Sequence, residues 1–161
     1  MSRLDLPRGA TAAIAEHIRC YGELGLETGA LLMTAPGGLQ VTAVALAGTA
    51  GITRRRDQFH LAMPVLDRLF TYAEEHQLQV RAHLHSHART AFLSETDRRG
   101  CIRMRGFLAA VVPDFASPPG DPASWGWWAF TGSDWAPSPS ATLIDGPVAV
   151  LTVDAGGVRA H

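Results

Sequence analysis

Two hydrophobic periods run along this chain, and the switches between them mark out its elements. Between Pro7 and Glu23, Ala13, Ile14, His17, Ile18 and Tyr21 recur at helical spacing, which predicts an amphipathic helix ended by Gly25. Gly29 to Met33 and Leu39 to Ala47 are short apolar runs joined by Ala35-Pro36-Gly37-Gly38, the composition of a hairpin turn. The polar stretch Thr49 to Asp57 precedes a second predicted helix over Leu61 to Gln77, with Pro64 in its first turn and Leu66, Leu69, Phe70 and Ala73 on one stripe. Leu78 to Ser86 then alternates as a strand does.

Downstream, Ala88 to Leu93 is expected to be loop, and Ser94 to Arg105 a third helix opened by Ser-Glu-Thr-Asp and closed by Gly106. Phe107 to Val112 predicts a buried strand and Ser124 to Thr131 an aromatic one, separated by the Pro- and Gly-rich loop Ala116 to Ala123. Ala141 to Asp154 predicts a last strand pair broken at Asp145-Gly146. The fold class expected is therefore α/β or α+β, with about three helices flanking a mixed sheet.

Composition narrows the function classes. The 161 residues suit one domain, spanning 1–161. A net charge of -1 provides no basic surface for nucleic acid or an anionic membrane, so neither is expected as a partner. Cys20 and Cys101 stand far apart and form neither a disulfide framework nor a thiolate metal knuckle, which points to a reducing cytoplasm. The N-terminus lacks the continuous apolar core of a secretory signal, and no apolar run approaches the ~20 residues of a membrane helix.

The candidate chemistry lies at the end of the Leu78 to Ser86 strand. His85 and His87 are two apart and point the same way on a strand, offering two imidazoles to one ion, and Asp97 follows with a carboxylate. A catalytic zinc takes three N or O ligands and leaves a fourth position open. A proton carrier is also needed, and Glu27, immediately before an apolar strand, is the best candidate, ahead of Glu23. His83 shares the face of His85 and His87 and is expected in the cleft or just behind it. Ser94 and Asp97 also form a helix-cap pattern. Cys101 is expected to pack, at least one of Trp125, Trp127 and Trp128 to lie in the core, and Arg54-Arg55-Arg56 to be a solvated turn. His17, His60, His76 and His161 have no partner at suggestive spacing.

Glu27-x-Gly29-x-Leu31-Leu32, then His85-Ser86-His87, then Ser94-x-x-Asp97 together resemble the JAMM (JAB/MPN) metalloprotease family over roughly residues 10 to 135, closest to its compact prokaryotic deubiquitinase-like members. The resemblance implies an MPN-like domain with a cytidine-deaminase-like sandwich. It implies Zn2+ held by His85, His87 and Asp97, Glu27 as general acid/base, and Ser94 stabilising the oxyanion. It further implies hydrolysis of the bond after the C-terminal tail of ubiquitin or a ubiquitin-like protein, the extended tail lying beside a strand. Six residues separate His87 from Ser94 where the family has seven, and Ala88 stands where proline is usual. Six extended residues reach up to ~20 Å, which leaves coordination within range. A non-catalytic MPN-like scaffold that binds such a protein is the alternative. The His-x-Glu and Pro-Cys-x-x-Cys signature of zinc nucleobase deaminases is absent.

Overall fold

The apolar runs become the middle of one mixed sheet. A computed structural model describes residues 3–100 and 102–161. In chain order the elements are β1 (Asp5–Pro7), α1 (Arg8–Gly22), β2 (Gly29–Thr34), β3 (Val41–Ala47), β4 (Ile52–Arg54), β5 (Phe59–Leu61), α2 (Met63–Glu75) and β6 (Gln79–Ser86). They continue with α3 (Glu95–Gly100), β7 (Leu108–Val112), β8 (Gly126–Phe130), β9 (Trp135–Pro137), β10 (Thr142–Ile144), β11 (Ala149–Asp154) and β12 (Gly157–Ala160). Eight strands pair in the order β12-β11-β3-β2-β6-β7-β8-β9.

Every residue of β2 and β7 is buried, because helices cover both faces of the sheet there. On one face Ala10, Ile14 and Ile18 of α1 pack with Leu32, Val44 and Leu84. On the other, Val65, Leu69 and Ala73 of α2 pack with Leu31, Ala45 and Val153. The architecture is thus the expected mixed α+β one, a large sheet with three helices. Among the described residues no helix is long and apolar enough to cross a membrane.

Several local expectations change. The third helix stops at Gly100 rather than Arg105, since Glu95–Gly100 buries no side chain and has no apolar face to carry it further. The core stripe of α2 runs through Val65, Leu69 and Ala73 with Leu66 partly buried against it, whereas Phe70 is 38% exposed. Ala141 to Asp154 is not a hairpin: β10 pairs in parallel with β1, and β11 in parallel with β3. Pro147 lacks the N–H that a ladder there would need. The polar stretch after Thr49 holds β4, which pairs with β5 as a small antiparallel hairpin beside the main sheet. Cys101 lies outside the described residues. Trp125 and Trp127 are buried and stack with ring centroids 6.0 Å apart.

Candidate metal centre

The register of β2 against β6 assembles the site. Gly29 pairs with His85, and one place further on Ser86 N donates to Thr28 O at 2.9 Å, so the same antiparallel run sets Glu27 beside His87. Residues separated by most of the domain's first half thereby meet. Asp97 arrives from the opposite direction. Ser94 caps α3 by accepting from Asp97 N at 3.0 Å, and the Asp97 carboxylate accepts from Ser94 N at 3.0 Å. This reciprocal cap turns Asp97 back toward the histidines. The cap reading of Ser94 and Asp97 is therefore realised, and the same cap sets the Asp97 carboxylate beside the histidines.

Two imidazoles and a carboxylate converge. His85 Nε2 and His87 Nε2 stand 3.1 Å apart, and each lies 3.1 Å from an oxygen of Asp97. Zinc bonds of about 2.0–2.1 Å at tetrahedral angles put neighbouring ligand atoms about 3.3 Å apart, close to the 3.1 Å separations of the imidazole nitrogens from each other and from the two Asp97 oxygens. Glu27, His85 and His87 are all buried, with ligand atoms within 4.8 Å of one another, and this group is able to hold a metal ion. His85 Nδ1 and Glu27 Oε1 are buried without a hydrogen-bond partner. His87 Nδ1 meets the carbonyl of Thr90 at 3.1 Å, which orients the ring and leaves Nε2 for the centre. The six-residue loop is thus braced from within, and the shorter interval closes without separating His87 from Asp97.

Burial is the main force on Glu27, pushing its carboxyl up to about 8; His87 opposes this, while Asp97 and Asp57 add to it. For Asp97 burial also works against ionisation, but hydrogen bonds from His85 and His87, with that from Ser94 N–H, outweigh it and hold the carboxyl well below the usual range. His87 is raised because Asp97 and Glu27 together overcome the effect of its burial. The site therefore separates two carboxyl groups, one held ionised and one inclined to carry a proton.

A second layer, unread in the sequence, holds this arrangement. Thr28 N donates to Ser86 Oγ at 3.0 Å, so the serine between the two histidines fastens the backbone next to Glu27. Arg54 is half-buried instead of solvated: its Nε donates to Thr28 Oγ1 at 3.0 Å and its guanidinium lies 3.9 Å over the Tyr21 ring. The same Thr28 hydroxyl hydrogen-bonds with His17 Nε2, 2.9 Å away. Burial, with Arg54 nearby, pushes His17 down to about 4 and favours the neutral ring. His17 is not incidental. Gly29 completes the layer, since a Cβ there would meet Leu84 O at 2.3 Å and Phe59 Cε2 at 2.6 Å. Its absence lets Phe59 stack on His83, centroids 6.0 Å apart.

Two hollows adjoin the centre. One, of about 50 Å³, is lined by His83, His85 and Asp97 together with Phe59, Leu66 and Ile102. His83 thus takes the expected place behind the histidine pair, and burial pushes its pKa down to about 3. The other is an open groove of about 330 Å³ lined by Glu27, His87 and Ser94.

No protein-family model matches the chain, and no curated protein matches it. Solved structures do. A solution structure of a protein from Desulfitobacterium hafniense matches with a TM-score of 0.70 at 15% identity, covering 89% of this chain and 94% of the other. A crystal structure of a JAB1/MPN domain protein from Archaeoglobus fulgidus matches with a TM-score of 0.51 at 18% identity, covering 89% and 100%. The fold is MPN-like. A solution structure of a Salinibacter ruber protein adds a TM-score of 0.56 at 21% identity, covering 86% and 91%. At these identities the likeness is one of fold. Within the MPN-like fold, the buried group of Glu27, His85 and His87 is this chain's own evidence for a metal centre.

Proposed function

We propose that this chain is a zinc-dependent peptidase or isopeptidase acting on the bond after the C-terminal tail of a ubiquitin-like protein. The observation that carries the hydrolytic reading is the cluster of His85, His87 and Asp97, in contact at 3.1 Å, beside the buried carboxyl of Glu27. The motif resemblance and the MPN-like fold support the substrate class. His85, His87 and Asp97 would hold the ion, a donor set of two imidazoles and a carboxylate that suits zinc. Bound there, zinc polarises the scissile carbonyl and acidifies water.

The remaining steps belong to the chain. Glu27 accepts the proton of the attacking water at its carboxylate and returns it to the leaving amine. Ser94 donates its hydroxyl to the developing oxyanion while its oxygen continues to accept from Asp97 N.

Glu27→Gln is the test. Turnover of a ubiquitin-like fusion should fall by about 10²–10⁴-fold while zinc stays near one per chain. Full activity in that variant, or cleavage by metal-free protein, sinks the mechanism.

A further inference from the structure

The open groove beside Glu27 carries charge that the hydrolytic chemistry does not use. Arg56 and Arg89 line it along with Asp57 and the exposed Phe92, so two guanidinium groups share its wall with the carboxyls of Asp57 and Glu27. Among the described residues neither arginine forms an ion pair, a state they share with several other arginines of the chain, so what distinguishes them is their place in the groove. Both are tied to one turn. Arg89 O accepts from Asp114 N at 2.9 Å, and the Arg56 guanidinium stands 5.9 Å from the ring of Phe115, whose own N–H donates to His87 O. Both arginines thus belong to the wall of the groove that also holds Glu27 and His87.

Size and proton transfer decide which part of a substrate lies there. The hollow behind His85, about 50 Å³, has room for little more than water, while the groove, about 330 Å³, accepts an amino-acid residue. Glu27 lines the groove, and under the peptidase reading on which this inference rests it must face the leaving amine. We propose that Arg56 and Arg89 form a subsite for a carboxylate on the amine-side fragment of the substrate. The carboxylate is either the α-carboxylate of a terminal residue or the side chain of an acidic residue beside the cut bond. Guanidinium forks match carboxylates in both cases. Phe92 supplies an apolar wall for the rest of the fragment.

Binding tests this without turnover. The probes are four dipeptides, Ala-Ala free acid, Ala-Ala amide, Ala-Glu amide and Ala-Gln amide, titrated into the full-length zinc-loaded chain and followed by NMR shifts. At least one carboxylate probe should bind roughly tenfold more tightly than its neutral counterpart, and salt should weaken it. Preference for Ala-Ala free acid assigns the α-carboxylate; preference for Ala-Glu amide assigns an acidic side chain. The advantage should vanish in Arg56→Ala/Arg89→Ala, both exposed positions, and Arg89→Glu should repel the carboxylate probes. It should persist after chelation, which separates the arginines from ligation by the metal. Equal binding of charged and neutral probes, or an advantage that survives in the double variant, overturns the subsite. Loss of hydrolysis in every assay would overturn the peptidase reading and leave arginine-dependent carboxylate binding standing.

Discussion

Ser86→Ala is a sharp probe of how the centre is held together, because the side chain lies between the two histidines yet faces away from the metal. Its hydroxyl is wholly buried, accepts from Thr28 N at 3.0 Å and donates to Thr28 O at 3.3 Å. Alanine removes both bonds. The Thr28 carbonyl keeps Ser86 N–H at 2.9 Å, so the damage falls on the Thr28 N–H, left unpaired where the residue is fully buried. An unsatisfied buried donor costs about 1–3 kcal/mol. For a chain of this length each kcal/mol lowers Tm by about 2–4 °C, so a fall of roughly 2–12 °C is expected. Thr28 is also the residue that anchors Glu27, and loosening it should lower kcat. Zinc should remain, because His85 stays on the β2 and β7 ladders. Calorimetry of the zinc-loaded proteins, metal content and turnover measure the three effects. A Tm within about 1 °C of the parent with unchanged turnover would refute the clamp.

Two further substitutions test the surroundings. Gly29→Ala should destabilise the chain by about 1–3 kcal/mol, since the new methyl meets the Leu84 carbonyl and Phe59; denaturant midpoints that do not move would show the strands have room to part. Asp154 is held below the usual carboxylate range, first by its hydrogen bonds from Arg159, burial opposing and the Thr49 and Gly156 N–H groups adding. A depressed folded pKa contributes stability above the unfolded value of about 3.9 and loses it as pH falls below that toward the folded value. Asp154→Asn should therefore flatten the decline of Tm between about pH 5 and 3, and parallel Tm profiles for the two proteins would contradict the assignment.

Periodicity and composition established the helices α1 and α2, the buried strands β2, β3, β6 and β7, and the run from His85 to Asp97. These features are written in neighbouring residues: a strand's alternation sets two histidines on one side, and a helix cap brings Asp97 back toward them. The short edge strands β1, β9 and β12 and the β4–β5 hairpin were not legible, since three or four residues of mixed polarity carry too little pattern to stand out. The length of α3 depended on the absence of a buried face, which its charged sequence did not reveal. Above all, folding decided that Glu27 lies beside His87, that Ser86 fastens Thr28 across a separation of 58 residues, and that Arg54 and His17 share that same threonine. Strand register and burial fix those meetings. Both arise from packing between distant segments, whose energy depends on water excluded by the whole sheet and is absent from any window of consecutive residues.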